Sequence, residues 1–383
     1  MALRAYAAAK RTLSVLDKLQ EVNWGLVLLV TLVAAAGIAM LYSVAGDFQP
    51  WALSQLSKFL IGLFVLVAVA TIDIRIWMSL AYPAYAVALV LLALVVVIGH
   101  VGMGAQRWVS IAGLGLQPSE LMKISLVLAL ARFLHGKSVE EVSKPHNLAI
   151  ALGMIGVPAM LVVLQPNLGT ALIIIADGCA LLFLAGLSWW WIGPTLAGVA
   201  AAVPVVWRYV LHDYQRARVE TFLDPGSDAL GKGWNITQAK IAIGSGGLTG
   251  KGFLEGTQSR LNFLPEKQTD FIWTAVCEEF GFVGALALLI LFGMILFYGV
   301  QTAMSARSQF ARLLAMGVTL NFFFYIMING LMVMGLIPVV GIPMPLLSYG
   351  GSAMLTVMFG FGLLMSVHIH RQVEIPRHSG GII

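Results

Sequence analysis

Long apolar runs recur along almost the whole chain, separated by short stretches rich in polar, glycine or proline residues. An α-helix rises about 1.5 Å per residue, so about 20 apolar residues cross the ~30 Å hydrocarbon core of a bilayer. About ten runs approach this length, namely 24–45, 56–72, 77–98, 120–135, 147–164, 168–187, 189–210, 271–300, 312–336 and 344–368. The pattern predicts an all-α, polytopic integral membrane protein.

The composition agrees with this prediction and excludes a soluble enzyme. Of the 383 residues, 59% are hydrophobic and 11% are charged, whereas soluble domains carry about 25% charged residues. The formal net charge of +5 comes from 23 Lys and Arg against 18 Asp and Glu, and the basic residues are dispersed along the chain. Nucleic-acid binding requires clustered positive charge, so no nucleic-acid partner is predicted. The composition instead indicates that the chain is surrounded by membrane lipids.

The Lys and Arg residues of the short loops predict the orientation, because cytoplasmic loops are enriched in them. With the N-terminal tail inside, Arg107 lies in a short outer loop, and the inner loops hold Arg75, Arg132, Lys137, Lys144, Arg307, Arg312, Arg371 and Arg377. We therefore predict cytoplasmic tails at 1–23 and 371–383 and a ten-helix membrane domain at 24–370. Its one long loop, 211–270, lies outside and contains a short helix at 234–244. A loop longer than about 15 residues usually has a function.

Neither disulfide nor metal chemistry is indicated. Cys179 and Cys277 lie in or beside apolar runs, with no CxxC spacing and no nearby His. His368 and His370 also lack a metal-binding spacing and are interpreted as cytoplasmic residues. We therefore predict no disulfide framework and no metal-binding residue.

Carboxylates gather where the long loop enters the next apolar run. Asp270 lies at this boundary, preceded by Glu266 and followed by Glu278-Glu279. A carboxylate that is partly removed from water holds a proton more tightly, which suits a general base. Thr269 or Asp270 could instead cap the following helix through its first-turn amides. Spacing alone slightly favours capping over chemistry.

A second charged pair lies at the start of a predicted helix. Glu120 and Lys123 follow Pro118 and are three residues apart, so they share one helix face. The bilayer penalises such charges unless they neutralise each other, and charges in a span are functional by default. A structural ion pair and a substrate contact are equally compatible with the sequence.

Positive charge in the long loop suggests an anion site. Arg216 and Arg218 follow an apolar run, where guanidinium groups can hold a diphosphate through paired hydrogen bonds or merely contact lipid head groups. The glycine-rich stretch 244–252, with Lys240 and Lys251 beside it, could form a nest of amides for a phosphate. It lacks the GK[ST] motif of a P-loop, so tight turns are the favoured interpretation and no nucleotide site is predicted.

Residues 337–352 are too polar and too rich in proline for a lipid-exposed helix. Irregular backbone at membrane depth is tolerated where it is buried in protein or lines a cavity. We therefore predict a re-entrant outer turn that lines a cavity, with Ser348 as a candidate substrate contact.

Several motifs occur in order along the chain. They are Gln106-Arg107-Trp108; Gln117-Pro118-Ser119-Glu120 with Lys123; Gln165-Pro166-Asn167-Leu168-Gly169-Thr170-Ala171; Leu264-Pro265-Glu266 followed by Thr269-Asp270-Phe271; Glu278-Glu279; and Pro345-Leu346-Leu347-Ser348-Tyr349-Gly350-Gly351-Ser352. Together they resemble the SEDS family, named for shape, elongation, division and sporulation. Gly256-Thr257-Gln258-Ser259 is more similar to the elongation branch, RodA, than to the division branch, FtsW.

The resemblance implies a ten-helix peptidoglycan glycosyltransferase of the bacterial cytoplasmic membrane. Such an enzyme polymerises lipid II, an undecaprenyl-diphosphate disaccharide peptide, into β-1,4 glycan strands at the outer face and releases undecaprenyl diphosphate during cell elongation and rod-shape maintenance. A class B penicillin-binding protein, a transpeptidase, is the implied partner. The essential carboxylate of the family falls on Asp270. Glu120, Lys123, Gln258, Glu266 and Ser348 fall in the motifs and are expected to bind or order the substrate.

Two positions depart from the family pattern. Asn167 stands where many relatives have Asp, and Gln268 replaces a His that is common in the family. Neither residue titrates, so both changes direct the role of general base to Asp270.

The expected mechanism has Asp270 accept the proton of an acceptor hydroxyl while Arg216, Arg218 and Lys240 stabilise the leaving diphosphate. A divalent cation could share that task, although no carboxylate cluster indicates one, and no other cofactor is expected. Two alternatives stay open, a lipid II transporter and a non-catalytic scaffold of the elongation complex. A transporter would distribute its polar groups over both sides of the bilayer, whereas the motifs here concentrate on the outer side.

Overall fold

The computed structural model describes residues 14–98, 100–102, 105–111, 114–165, 167–210, 213–224, 232–260 and 266–376. Its α-helices, in chain order, are α1 (Val15–Gln20), α2 (Trp24–Ala45), α3 (Trp51–Thr71), α4 (Ile74–Ile98), α5 (Pro118–His135), α6 (Val139–Val142), α7 (Pro145–Leu164), α8 (Leu168–Leu184), α9 (Ile192–Val205), α10 (Asp213–Leu223), α11 (Lys232–Gly246), α12 (Thr257–Arg260), α13 (Ile272–Ser305), α14 (Gln309–Val333) and α15 (Gly351–Ile369). A 3-10 turn, Trp189–Trp191, precedes α9, and a π turn, Val206–Val210, follows it.

Every predicted span contains one of these helices, namely α2 to α5, α7 to α9 and α13 to α15. Among the described residues, seven helices are long and apolar enough to cross a membrane by length and composition alone. α8 and α9 are shorter than a full span, with 17 and 14 residues. The predicted fold class, an all-α polytopic membrane protein, is confirmed, and α11 confirms the short helix predicted inside the long loop.

A small antiparallel sheet adds to the helical bundle. It lies between α4 and α5 and consists of β1 (His100–Gly102), β2 (Ala105–Ile111) and β3 (Leu114–Leu116), in that order. In the register, Val101 pairs with Gln106 and Ser110 pairs with Gly115. Strands were not predicted here, because β1 and β3 have three residues each and the seven residues of β2 do not alternate between polar and apolar.

Helix ends follow local sequence signals. Asn23 caps α2 by accepting a hydrogen bond from the Leu26 amide at 3.2 Å, and Ser308 caps α14 through the Ala311 amide at 3.2 Å. Pro118 is the first residue of α5, as predicted, since proline has no amide hydrogen to leave unsatisfied there.

Glycines let α3 and α15 pack closely. A Cβ atom on Gly62 of α3 would lie 2.8 Å from the side chain of Met358, and one on Gly362 of α15 would lie 2.7 Å from that of Val69. Membrane helices associate through such small residues because lipid offers no hydrophobic driving force.

The helix that follows the long loop is broken near its start. Gly281 in α13 has non-helical backbone angles, with φ 61° and ψ −159°. The glycine-rich stretch 244–252 packs on this break, where the Phe282 amide donates to the Gly247 carbonyl at 2.9 Å. A Cβ atom on Gly250 would lie 2.1 Å from the Glu279 carbonyl oxygen, so only glycine fits. These contacts support the interpretation of the stretch as tight turns rather than an anion nest.

Candidate active site

Asp270 lies half-buried in a turn formed by residues 266–271, directly before α13. The amides of Thr269 and Phe271 donate to the Glu266 carbonyl at 3.1 and 3.3 Å, and Thr269 Oγ1 donates to Glu266 Oε2 at 3.0 Å. Glu266, at φ 57°, adopts the left-handed conformation that closes the turn. The N-cap position of α13 is occupied by Phe271, which makes no side-chain cap hydrogen bond. The capping alternative for Thr269 or Asp270 is therefore not supported.

The turn is held from the side by the irregular segment between α14 and α15, residues 334–350. The Tyr349 amide donates to the Gln268 carbonyl at 2.8 Å. Ser348 Oγ donates to the Thr269 carbonyl at 2.5 Å. Ser348 is 4% exposed, so its hydroxyl fixes the turn in this arrangement.

Asn329 holds the next carbonyl of the turn. From α14, its Nδ2 donates to the main-chain oxygen of Asp270 at 2.8 Å and to that of Ile342, in the 334–350 segment, at 2.7 Å. Three successive carbonyls, 268 to 270, thus accept hydrogen bonds from the 334–350 segment and α14. The backbone that carries the carboxylate is therefore fixed in position.

The 334–350 segment is itself enclosed by the bundle. Its buried apolar side chains are Ile342, Met344, Leu346 and Leu347. Glycines admit it, since a Cβ on Gly37 of α2 would lie 2.6 Å from the Leu346 carbonyl oxygen, and one on Gly169 of α8 would lie 2.7 Å from that of Val340. The segment is irregular and lines a small cavity, as the sequence predicts, while its re-entrant position on the outer side stays a prediction.

Arg218 approaches Asp270 through the same segment. From α10, its Nη1 donates to the Val339 carbonyl at 3.1 Å. Two residues further on, a Cβ on Gly341 would lie 3.4 Å from Oδ2 of Asp270. The guanidinium group of Arg218 and the carboxylate of Asp270 thus lie beside the same stretch, 339–341, at positions two residues apart.

Glu120 and Lys123 lie inside the bundle, where they are 4% and 1% exposed. Lys123 Nζ is 2.8 Å from Glu120 Oε1. Tyr325 of α14 donates its hydroxyl proton to Glu120 Oε2 at 2.5 Å, and its hydroxyl oxygen also contacts Lys123 Nζ. In this arrangement the pair is an enclosed ion pair that ties α5 to α14.

A further carboxylate lies next to this pair. Asp177 of α8 is fully buried, accepts a hydrogen bond from Asn321 of α14 and attracts the Lys123 ammonium group. Three helices thus contribute charged or amide groups to one polar cluster in an otherwise apolar interior.

A cavity of about 10 Å³ lies between Tyr325 of this cluster and residues 343–357. Tyr325 lines it from the side of the cluster and Ser348 from the side of the turn, with Met344 and Met354 between them. Such a volume holds about one water molecule. Tyr325, which bonds to Glu120, and Ser348, which bonds to the turn of Asp270, therefore line one small cavity.

Two other predicted cations, Arg216 and Lys240, lie on either side of Arg218 in the chain. Arg216 donates to the carbonyls of Trp207 and Arg208, both at 2.9 Å, and so caps the π turn after α9. Lys240 of α11 is exposed and lies over Gly335, where a Cβ would be 2.8 Å from its Nζ. Arg218 is therefore the predicted cation whose described contacts lead toward Asp270.

Gln258 and the Glu278-Glu279 pair anchor the long loop to α13. Glu278 Oε1 accepts hydrogen bonds from the main-chain N–H of Gln258 at 3.0 Å and from Lys251 Nζ at 2.7 Å. Glu279 Oε1 accepts one from Ser43 of α2 at 2.5 Å. Gln258, a predicted substrate contact, is thus bound through its backbone to a buried carboxylate.

One more cation belongs to the turn of Asp270. Partial burial lowers the pKa of Lys267 below its ordinary value, since desolvation disfavours the ammonium form.

Within the described residues, no group of three or more His, Cys, Asp or Glu side chains could hold a metal ion. No residue is therefore assigned to a metal.

The sequence analysis missed two fully buried amide side chains that organise the site, Asn329 and Gln55. From α3, Gln55 Nε2 donates to the Ser348 carbonyl at 2.9 Å, and its Oε1 accepts from the Gly350 amide at 3.4 Å. For Asn329 the available signal was an amide inside the apolar run 312–336, because a buried amide needs partners. Gln55 precedes the run 56–72, so it gave no such signal.

These features define a polytopic helical membrane protein with a fixed, half-buried carboxylate at one end of its bundle. The family model for FtsW, RodA and SpoVE, described as cell cycle protein, matches residues 19–373. The chain belongs to this family.

Relatives and solved structures agree. The peptidoglycan glycosyltransferase MrdB of Escherichia coli K12 is 44% identical over 350 residues, covering 91% of this chain and 93% of that protein. A structure described as showing the coordination of polymerization and crosslinking by a peptidoglycan synthase complex matches with a TM-score of 0.80 and 33% identity, over 91% of this chain and 98% of that chain. The rod shape determining protein RodA of Thermus thermophilus matches with a TM-score of 0.69 and 29% identity, over 91% and 97%.

Proposed function

We propose that this protein is a peptidoglycan glycosyltransferase of the RodA branch. It polymerises lipid II into β-1,4 glycan strands, releases undecaprenyl diphosphate and acts in cell elongation and rod-shape maintenance. The observation that carries the proposal is the turn 266–271, which presents Asp270 at the end of the bundle on a backbone fixed by Asn329 and Ser348. The 44% identity to an enzyme of that name supports the same activity.

Asp270 acts as the general base. The 4-hydroxyl of the acceptor sugar attacks the anomeric carbon of the donor strand and gives its proton to the Asp270 carboxylate. The bond between that carbon and the diphosphate oxygen breaks from the opposite face, so the configuration inverts to β. A proton transfer of this kind contributes about 10²- to 10⁴-fold to a rate.

The leaving diphosphate accumulates negative charge, which needs a cation in place before the reaction. Arg218 supplies it, because its guanidinium group lies at the stretch 339–341 that also borders Asp270. Arg216 and Lys240 are the next cations along the loop and hold the diphosphate at its outer side. A divalent cation is an alternative source of this charge, and polymerisation with and without a chelator measures its share.

The prenyl chain of lipid II requires an apolar binding cavity that is accessible from the lipid. α4, α5 and α15 enclose a cavity of about 330 Å³ whose lining is almost entirely apolar, including Trp77, Val87, Leu121, Ile124 and Phe359. Each buried methylene contributes about 0.8 kcal/mol, so this surface can hold a long chain at the membrane. Glu120 and Lys123 lie on the same helix as two of these lining residues and order the cavity wall.

The proposed location is the bacterial cytoplasmic membrane, with the active site on the extracytoplasmic side. The enrichment of Lys and Arg in the opposite loops supports this orientation. It predicts that a cysteine at exposed Glu266, in a background without Cys179, reacts with a membrane-impermeant maleimide in whole spheroplasts. A cysteine at exposed Glu374 should react only after the membrane is opened. The reverse pattern would put Asp270 on the cytoplasmic side and exclude the proposed reaction.

The proposed partner is a class B penicillin-binding protein, whose transpeptidase cross-links the new strands. The support is the similarity to the chain from a peptidoglycan synthase complex in which polymerization and crosslinking are coordinated. Co-purification of the two proteins from one membrane extract tests it, and separate elution of the two at all protein ratios would contradict it.

The decisive experiment is polymerisation of labelled lipid II by the purified protein in liposomes. The parent should produce glycan strands and Asp270→Asn should produce none. Asp47→Asn is the matched control, because Asp47 is an exposed carboxylate in the short loop between α2 and α3. Equal polymer from the parent and Asp270→Asn would remove Asp270 from its role. Movement of lipid II across the bilayer without polymer would favour the transporter, and neither activity would favour the scaffold.

A further inference from the structure

The strongest unexplained feature near the site is a buried amide in the middle of an apolar helix. We infer that Asn329 is a positioning residue for Asp270, one that sets the place of the carboxylate by holding the backbone that carries it. The inference rests on the proposed role of Asp270 and adds a second residue to it.

The contacts are specific for an amide nitrogen. Asn329 Nδ2 has two hydrogens and two acceptors, the main-chain oxygens of Asp270 at 2.8 Å and Ile342 at 2.7 Å. One side-chain atom therefore joins the turn of the carboxylate to the segment that supports it. An apolar side chain would make neither bond, and a hydroxyl could donate only one.

The cost of this arrangement indicates that it is retained for a purpose. Asn329 is fully buried, and its Oδ1 has no hydrogen-bond partner among the described groups. A buried polar atom without a partner destabilises the fold. An apolar residue would avoid that cost but would leave the Asp270 and Ile342 carbonyls without their donor, so the asparagine is retained for its two Nδ2 contacts.

A second amide holds the far end of the same segment. Gln55 of α3, also fully buried, binds the carbonyl of Ser348 and the amide of Gly350. Asn329 bonds to Asp270 directly, whereas Gln55 reaches it through Ser348 and Thr269. The two amides form a clamp whose effect on the carboxylate should be graded, with Asn329 the stronger member.

The test compares Asn329→Leu, which keeps the branching at Cγ, adds bulk and removes both donors, with Gln55→Leu and with Thr319→Val. Thr319 is the matched control, since it is a buried polar residue of the same helix whose hydroxyl bonds only to the Ala315 carbonyl one turn earlier. Asn329→Asp, which keeps the shape and cannot make both bonds, replaces Asn329→Leu if the latter does not fold. Purified variants are assayed for lipid II polymerisation and thermal unfolding, and amide hydrogen exchange is measured over 268–272.

We expect Asn329→Leu to lower kcat by about 10- to 100-fold, the effect of a misplacement of about 1 Å, while KM changes less than about twofold. Exchange over 268–272 should become faster, Gln55→Leu should give a smaller loss, and Thr319→Val should match the parent.

Parental kcat in a folded Asn329 variant would overturn the clamp, as would an equal loss in Thr319→Val. These outcomes differ from failure of the proposed function, in which the parent itself would make no polymer or Asp270→Asn would remain active.

Discussion

Gly341 faces the carboxylate of Asp270 so closely that a Cβ atom on it would lie 3.4 Å from Oδ2. Gly341 also has φ +70°, in the left-handed region where residues with a side chain are strained. Two requirements therefore meet at one glycine, a backbone conformation and free space beside the reactive group.

These requirements can be separated by substitution. Gly341→Ala should lower stability by about 1 kcal/mol through strain and should also lower kcat/KM for lipid II about tenfold, since the methyl group occupies space beside the carboxylate. Gly46→Ala is the control, because Gly46 has φ +74° and no atom within 4 Å of a Cβ there. It should show the loss of stability alone. Equal activity of the two variants would contradict a role for the space beside Asp270.

Arg218 gives a prediction about the leaving group. Arg218→Ala should lower kcat by about 10²-fold, the effect of removing a preorganised donor to developing charge, and Arg218→Lys should recover part of it. Arg216→Ala should lower kcat less, because the Arg216 guanidinium is engaged by the carbonyls of Trp207 and Arg208. The measurement is the steady-state rate of diphosphate release at saturating lipid II. A larger effect at Arg216 than at Arg218 would reverse their assignment.

The sequence predicted what depends on local pattern. Every predicted apolar run contains a helix, and the helix after Pro118 begins at that residue. The proline-rich stretch forms an irregular segment up to residue 350, where α15 follows. These features follow from helix length, proline chemistry and the cost of exposing backbone to lipid, each of which acts over a few residues.

What the sequence did not reveal depends on contacts between distant residues. Asn329 meets Asp270 across 59 positions, and Gln55 meets Ser348 across 293. No sequence motif at either amide residue indicates which distant residue it contacts. The same holds for Tyr325, which encloses the Glu120–Lys123 pair that the sequence left open between a structural and a substrate-binding role.

In α4, Pro83 removes one helical hydrogen bond, and an arginine of the neighbouring helix α5 replaces it. Pro83 has no amide hydrogen for the Ser79 carbonyl four residues earlier, and Arg132 of α5 donates to that oxygen at 3.0 Å and to the Met78 oxygen at 2.9 Å. Arg132→Ala should therefore cost about 1–2 kcal/mol of stability. In a Pro83→Ala background the helical bond is restored, so the same change should cost about 1 kcal/mol less. Thermal unfolding of the four proteins in one detergent measures the difference, and strict additivity would exclude the compensation.

The ion pair of Glu120 and Lys123 gives a prediction about how the interior tolerates charge. Lys123→Met leaves Glu120 buried without its cation and should cost about 3–5 kcal/mol of stability. Glu120→Gln should cost less, because the Lys123 ammonium still attracts Asp177 of α8. The double variant Glu120→Gln, Lys123→Met should be more stable than Lys123→Met alone, since it buries no uncompensated carboxylate at position 120.

The measurement is the unfolding midpoint in a fixed detergent together with polymerisation at a temperature where all variants are folded. If the double variant recovers stability but not polymerisation, the pair orders the cavity for substrate. Recovery of both would reduce it to a structural tie between α5 and α14.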